Sequence, residues 1–235
     1  MPKRPHLSLV TIVQDEAASL RAFLRAARGL ADEIVLVDGG SLDDTVAIAR
    51  EFPEVRLFER TFDDFALQKN FALDQARGRW ILHLDADEAL GGRACRLLRT
   101  LTRVPGMRWY KLDTCYVVRE QGAPRRLVSP EHGPDYHVRL FRNVPVFRYD
   151  PTRGRVHESF PRKGRGWGCR LPGLHIFNFG YERTSLEERR DKVARYDSLA
   201  PEKHGTHLAY LWEERDDVRL VACPERCPEE FLVDL

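Results

Sequence analysis

The chain has 235 residues, with 38 Lys and Arg against 36 Asp and Glu and a formal net charge of +2. This length suffices for a sizeable core, and the near balance of charges argues against nucleic-acid binding through bulk charge. The sequence contains no stretch near the roughly 20 apolar residues of a membrane span, and its start lacks a secretory pattern. We therefore expect a cytoplasmic protein whose five cysteines stay reduced.

The first 105 residues predict alternating strands and helices. Apolar runs of strand length occur at Leu7–Val13, Glu33–Asp38, Val55–Phe58 and Trp80–Leu84. Helical patterns lie between them: one ends at Gly29, one starts at Ser41 with Asp44 at capping-box spacing, and one spans Phe65–Ala76. Because the strands are apolar on both faces, this alternation predicts an α/β fold with a mostly parallel sheet flanked by helices.

The second half, residues 106–235, has a different pattern. Strands are predicted at Trp109–Val118 and Tyr136–Arg142, a third strand or a loop within Phe147–Phe160, and a charged helix at Ser185–Leu199. No long helices are predicted between these strands. We expect a β-rich half that joins residues 1–105 in one compact domain.

Acidic residues follow three strands of the first half. Asp15 and Glu16 follow the first strand, Asp38 ends the second, and Asp85 and Asp87 follow the fourth. Ligands of parallel sheets bind beyond the carboxyl ends of the strands, so these acids should share one rim. An Asp-x-Asp pair there suits Mg²⁺ or Mn²⁺ together with a phosphate ligand, although a bare pair is also common in solvated loops.

Two frequent phosphate-binding loops are absent. There is no G-x-G-x-x-G after the first strand and no G-x-x-x-x-G-K-[ST] anywhere in the sequence. This disfavours a dinucleotide oxidoreductase and a P-loop kinase. A metal ion held by the Asp-x-Asp pair is the simplest remaining way to bind a diphosphate.

Several blocks of sequence, in this order, resemble a known family. They are VDGGSLDDT (37–45), FALQKNFAL (65–73), GRWILHLDADE (78–88), HVRLFRN (137–143) and GRVHESF (154–160), followed by His175 and a charged helix that contains Tyr196. Over about residues 7–200 the chain resembles the family 2 glycosyltransferases, especially small bacterial enzymes similar to lipopolysaccharide-core β-glucosyltransferases. The resemblance implies a GT-A fold with a Rossmann-like nucleotide half. It also implies inverting transfer of a hexose from a nucleotide-diphosphate donor, expected to be a UDP-sugar.

The same resemblance implies roles for individual residues. Donor-binding positions are Val13, Asp15, Glu16, Asp38, Gly39, Gln68, Lys69 and Asp85, and metal positions are Asp85 and Asp87 with Mn²⁺ or Mg²⁺. Many relatives have T-x-N-E at the first loop, where this chain has Val13-Gln14-Asp15-Glu16. The nucleotide preference is therefore open.

An inverting transfer needs a base for the acceptor hydroxyl. Glu158 is preferred, because its V-H-E block resembles the acid motif of the family's acceptor region, and Asp135 is the alternative. For His175, a buried core histidine and an additional metal or diphosphate ligand are both open. For Arg139, a structural salt bridge and a substrate contact are equally open.

The basic stretch 119–170 contains twelve Lys and Arg against five Asp and Glu. It suits an anionic glycan, lipopolysaccharide-core or lipid-linked acceptor, and peripheral association with the inner face of the cell membrane. Two alternatives remain: a sugar nucleotidyltransferase, which the acidic first loop disfavours, and a non-catalytic nucleotide-sugar-binding protein. Cys223 and Cys227 with His204 and His207 would supply four zinc ligands, but two unrelated tail pairs are the favoured interpretation.

Overall fold

The computed structural model of the chain describes residues 4–152, 160, 164, 166–199 and 208–232. The strands are β1 (Leu7–Val13), β2 (Glu33–Asp38), β3 (Val55–Glu59), β4 (Trp80–His83), β5 (Glu88–Leu90), β6 (Trp109–Glu120), β7 (Ala123–Val128), β8 (Asp135–Arg142), β9 (Gly168–Asn178) and β10 (Arg219–Ala222). The helices are α1 (Ala17–Ala27), α2 (Thr45–Arg50), α3 (Phe65–Gln75), α4 (Gly92–Leu101), α5 (Gly180–Arg183) and α6 (Leu186–Leu199).

The strands of the described residues form one mixed sheet. Its main path runs β10-β7-β6-β8-β4-β1-β2-β3, and β9 pairs with both β5 and β6. The neighbours β3, β2, β1 and β4 are parallel, whereas β8 is antiparallel to both β4 and β6. The predicted α/β architecture with a parallel, helix-flanked half and a β-rich second half is therefore confirmed.

The buried faces of β1 explain why its sequence is almost continuously apolar. Leu9 packs in the cluster that contains Leu20 and Leu24 of α1. Its neighbour Val10 points to the other face, in the cluster that contains Leu73 of α3. Successive strand residues point to opposite faces, and here helices cover both. Because β1 and β4 pair in parallel, their carboxyl ends lie at the same edge of the sheet.

The start of α2 differs from the prediction. The helix begins at Thr45, and the side chain of Asp44 makes no capping hydrogen bond. The Ser41 hydroxyl instead donates to Asp38 Oδ1, and the Ser41 amide also faces the Asp38 carboxylate. The predicted capping box is therefore wrong, because these polar groups fold the segment after β2 onto the end of that strand.

Three strands of the second half were not predicted from the sequence. β7 contains a proline and two arginines, β9 contains a Pro-Gly pair, and β10 is a short, largely exposed strand at the edge of the sheet. Such residues weaken the strand signal. Within Phe147–Phe160, residues 147–152 form no strand, and 153–159 lie outside the described residues.

No helix in the described ranges combines the length and the apolar character that crossing a bilayer requires.

Candidate active site

A cavity of about 990 Å³ opens where β1 and β4 end. The first half contributes the loop after β1, the first turns of α3 and the loop after β4. The second half contributes parts of β6 and β8, the helices α5 and α6, and Tyr210. Both halves of the chain therefore enclose one site, and most of the predicted donor-binding residues border it: Val13, Asp15, Glu16, Gln68, Lys69 and Asp85.

The loop after β1 is locked to the segment after β2. Asp15 has a positive φ of 56°. Its amide donates to Ser41 Oγ at 2.9 Å, and its carboxylate accepts the Leu42 amide at 2.7 Å. The next amide, of Glu16, donates to Thr45 Oγ1 at 2.8 Å. These reciprocal hydrogen bonds hold Asp15 in a backbone conformation that is uncommon outside glycine.

Asp38 and Gly39 lie directly behind this loop. The Asp38 carboxylate accepts the Gly40 amide at 2.8 Å, and the Gly39 amide donates to Val13 O at 2.7 Å. A Cβ on Gly39 would lie 3.3 Å from that same carbonyl and from the Cβ atoms of Gln14 and Phe62, so there is little room for a side chain. Neither Asp38 nor Gly39 is among the residues that line the cavity. Their contacts shape the loop, whereas a direct contact with the nucleotide base stays a prediction.

Asp85 is surrounded by positive charge. Its carboxylate lies 3.7 Å from Lys69 Nζ and 3.3 Å from the Arg139 guanidinium. Burial opposes ionisation, but Lys69 and Arg139 hold the pKa of Asp85 far below its usual range. Arg139 also contacts Glu88 at 2.7 Å, and burial raises the pKa of Glu88 to about 8 against that attraction. The structure therefore shows Arg139 in a salt bridge, and because Arg139 also lines the cavity, a contact with the acceptor or a phosphate stays a prediction.

Asp87 has a different environment. Its carboxylate accepts the Asn178 side-chain amide at 3.2 Å, and its carbonyl accepts the Phe179 amide at 2.8 Å. A Cβ on Gly180 would come within 2.4 Å of Asp87 Oδ2, so glycine leaves room for this carboxylate. Burial and Asp85 raise the pKa of Asp87. Among the described residues, no Lys or Arg nitrogen lies within 4.0 Å of its carboxylate.

The residues at this rim fit a metal ion that a substrate phosphate would help to hold. Carboxylate oxygens are suitable ligands for Mg²⁺ and Mn²⁺. Asp87 lines the cavity and, among the described residues, has no Lys or Arg nitrogen at salt-bridge distance. Over the described ranges, no three His, Cys, Asp or Glu side chains form a metal site by themselves. The arrangement therefore fits a shared metal and does not form a closed structural site.

Gln68 and Lys69 approach the cavity from α3. The Gln68 amide donates to Arg60 O at 2.9 Å, and its oxygen accepts a hydrogen bond from the Arg60 side chain. Gln68 therefore fixes the chain after β3 at the edge of the cavity. Lys69 lies 5.7 Å from the centre of the Tyr149 ring while it faces Asp85. This position puts a fixed positive charge next to the acidic rim.

Asp135 lies beside the cavity and is not part of its lining. It accepts the Tyr116 hydroxyl at 2.7 Å and lies 2.8 Å from His137 Nε2. Although burial opposes ionisation, these neighbours lower the pKa of Asp135. Glu158, the preferred base, lies outside the described residues.

His175 lies in a buried ionic cluster outside the cavity lining. Its Nδ1 is 3.4 Å from Asp113 Oδ2, and Arg126 contacts the same oxygen at 3.0 Å. Of the two interpretations of His175, a buried core histidine describes this position. A contact between His175 and a metal or diphosphate at the cavity has no support in this arrangement.

The sequence did not reveal the aromatic wall of the cavity. Tyr181 lies 6.0 Å from Tyr210, which lies 5.8 Å from Tyr196, measured between ring centres. Lys192, one turn before Tyr196, also lines the cavity. The spacing of Lys192 and Tyr196 was an available signal, since residues four apart share a helix face. A second available signal was Asn178, a polar residue within an apolar run.

The cysteines of the described residues are free thiols. Cys227 Sγ lies 3.6 Å from Cys223 Sγ, and Cys223 also interacts with the buried Cys115 thiol. His204 and His207 lie outside the described residues, so a zinc site that combines them with Cys223 stays untested.

Comparisons with known proteins point to one family. The family model Glycosyl transferase family 2 matches residues 8–118. The lipopolysaccharide core biosynthesis glycosyltransferase LpsC of Rhizobium meliloti is 35% identical over 204 residues, which are 84% of this chain and 72% of that protein. A TPR repeat-containing protein of Synechococcus elongatus is 33% identical over 188 residues, 78% of this chain. The chain spans 44% of that relative's length.

A solved structure shares the fold. The structure of S. aureus TarS 1–349 in complex with UDP has a TM-score of 0.50 and 12% identity, and the match covers 71% of this chain and 60% of that one. The fold is therefore the GT-A fold that the sequence predicted. Because LpsC is similar over most of both chains and the family model also matches, the chain belongs to glycosyl transferase family 2.

Proposed function

We propose that the chain transfers a hexose, with inversion, from a nucleotide-diphosphate sugar to a hydroxyl of a glycan or glycolipid. One observation carries this proposal. Carboxylates from the ends of β1 and β4 meet in one cavity, and no Lys or Arg nitrogen of the described residues lies within 4.0 Å of the Asp87 carboxylate. Family membership supports glycosyl transfer. UDP is the nucleotide in the TarS complex, which makes a UDP-sugar the first donor to test.

The donor would bind mainly to residues 1–105, and residues 106–235 would supply most of the acceptor side. The loop at Asp15 and Glu16 would border the nucleoside, and Lys69 would face the phosphates. Asp87, with Asp85 beside it, would hold Mn²⁺ or Mg²⁺. When bound, such an ion supplies positive charge that stabilises the departing diphosphate.

Inversion requires a base on the face of the sugar opposite the diphosphate. Glu158 is our preferred candidate. The neighbours of Asp135 stabilise its ionised form, so its carboxylate is a weaker base than an unperturbed one. We therefore favour Glu158 over Asp135 as the base.

The acceptor proposal uses the basic stretch 119–170 and the similarity to LpsC. A lipopolysaccharide-core or lipid-linked glycan would meet positive charge there, and the protein would associate with the inner face of the membrane. Binding to vesicles that contain anionic lipid should weaken as salt is raised. Binding that does not change with salt would contradict this part of the proposal.

Asp87 should be required for sugar transfer. Replacement of Asp87 by Asn removes a negative ligand but keeps the volume and the hydrogen bond to Asn178. We expect an intact fold and at least a hundredfold loss of UDP release from a UDP-sugar in the presence of glycan acceptors, equivalent to about 2.7 kcal/mol of transition-state stabilisation.

The matched control is Asp216→Asn, at an exposed position away from the cavity lining, which should keep the wild-type rate. If Asp87→Asn also transfers sugar at that rate, the assigned site is wrong. Pyrophosphate release from a nucleoside triphosphate and a sugar phosphate would identify a nucleotidyltransferase instead.

A further inference from the structure

Lys192 projects from α6 into the cavity. Its ammonium lies 4.7 Å from the centre of the Tyr210 ring and 5.6 Å from that of Tyr196. Both rings offer their π systems to the cation, and together they hold it in one place. The side chain is therefore positioned by α6 and by the segment that carries Tyr210.

Two acidic groups of the described residues act on Lys192. Asp87 and Glu16 are its acidic neighbours, and burial together with Asp87 raises the pKa of Glu16 to about 7. Although burial alone would favour the neutral amine, Tyr210, Tyr196 and these acids raise the pKa of Lys192. The side chain is therefore an ammonium ion in the cavity.

Neighbouring cations on the same helix have direct partners. Arg189 pairs with Glu213, and Arg190 pairs with Glu214. Within the described ranges, no carboxylate oxygen lies within 4.0 Å of Lys192 Nζ. A structural salt bridge therefore does not explain why a lysine lies here. A positive charge that faces a large cavity is placed to meet an anionic ligand.

We propose that Lys192 is a donor-binding residue that contacts the diphosphate of the nucleotide sugar. This inference rests on the proposed function and extends it to α6 and Tyr210, which lie in the half assigned to the acceptor. A lysine ammonium is a compact charge that binds phosphate oxygens well. In this position it would stabilise the negative charge that develops on the departing nucleoside diphosphate.

The test compares ligands with and without phosphates. Lys192→Gln removes the charge, Lys192→Met is the second variant should the first not fold, and Lys192→Arg keeps the charge. UDP affinity is measured by calorimetric titration with Mn²⁺, and uridine binding by saturation-transfer NMR. We expect Lys192→Gln to lose at least tenfold in UDP affinity with unchanged uridine binding, and Lys192→Arg to recover most of that affinity.

The matched control is Arg190→Gln, which removes an exposed cation from the same helix and should leave UDP affinity unchanged. Wild-type UDP affinity in folded Lys192→Gln would overturn the inference, and so would an equal loss for UDP and uridine, because that indicates a structural role. If the wild-type protein binds no nucleoside diphosphate, the proposed function fails as well. If the wild type binds UDP and Lys192→Gln is unchanged, the inference alone fails.

Discussion

Asp85 and Asp87 are two residues apart, yet their neighbours move their pKa values in opposite directions. Lys69 and Arg139 lower the pKa of Asp85 against its burial, whereas burial and Asp85 itself raise the pKa of Asp87. Pairs of carboxylates with such divergent environments are typical of functional sites. The Asp-x-Asp spacing alone does not reveal this difference, because the cations come from α3 and β8.

A prediction at Gly180 tests the position of Asp87. A Cβ there would lie 2.4 Å from Asp87 Oδ2, so Gly180→Ala must displace the carboxylate. We expect a tenfold or greater loss of Mn²⁺-dependent UDP affinity, measured by calorimetry, in a protein that still folds. The control Gly92→Ala adds a Cβ whose nearest neighbour is 3.5 Å away. This control should bind UDP with wild-type affinity. If both variants had the same UDP affinity, the assigned role of the Asp87 carboxylate would be wrong.

A second prediction concerns pH. Burial lowers the pKa of His132 to about 4, and the ring lies 2.8 Å from both Ser129 Oγ and the Tyr181 hydroxyl. The unfolded chain, with a histidine pKa near 6.5, binds the proton more readily, so stability is lost as pH falls from about 6.5 to 4. This single group should cost about 3 kcal/mol at pH 4 relative to pH 7.

Urea denaturation between pH 7 and pH 4 measures this effect. His132→Gln has no proton to gain in this range. The variant should be less stable than wild type at pH 7 but should lose less stability on acidification. An unchanged pH dependence in His132→Gln would show that His132 is not the titrating group.

The acids of the rim could be predicted from the sequence, since each follows an apolar run and parallel strands end at a common edge. Lys192, Asn178 and Tyr210 could not be assigned in the same way. Lys192 and Asn178 leave a local signal in the sequence, but the long-range packing of the second half that brings all three residues to the cavity leaves none.

At the scale of elements, the loop after β1 and the start of α2 form one unit through Asp43. Its carboxylate accepts the Ala17 amide at 3.0 Å and the Thr45 amide at 2.9 Å, at the starts of α1 and α2. Asp44 is the adjacent acid and makes no side-chain cap. The capping-box spacing predicted a helix that starts at Ser41 with Asp44 three residues later, whereas in the structure Asp43 accepts the amides at the starts of both helices.

This difference gives a prediction with an internal control. Asp43→Ala leaves two helix-start amides without their acceptor and should cost about 1–2 kcal/mol of unfolding free energy. Asp44→Ala should change stability by less than about 0.5 kcal/mol. Chemical denaturation of both variants measures the difference, and equal destabilisation would contradict the assigned cap.

A capping box does exist elsewhere in the chain. At the start of α6, the Ser185 amide donates to Glu188 Oε2 at 2.7 Å and the Glu188 amide donates to Ser185 Oγ at 3.2 Å.

The periodic hydrophobic patterns of the sequence predict the helices and strands that bury a regular apolar face. They miss β7 and β9, where Pro and Arg interrupt the pattern and the neighbouring strands of the sheet supply the pairing.

At the scale of the whole molecule, the site depends on both halves of the chain. The first half supplies the acids and Lys69, while the second supplies Arg139, the aromatic wall and Lys192. The parallel part of the sheet and its rim follow from the sequence pattern. The enclosure of that rim by α6 and Tyr210 does not, because it results from long-range packing.

The most direct test of the central proposal is calorimetric titration of the wild-type protein with UDP, GDP, TDP and CDP, each with and without Mn²⁺. We expect one nucleotide, with UDP the first expectation, to bind in a metal-dependent manner, and Asp87→Asn to abolish this dependence. A folded protein that binds none of the four nucleotides would contradict the proposed donor site.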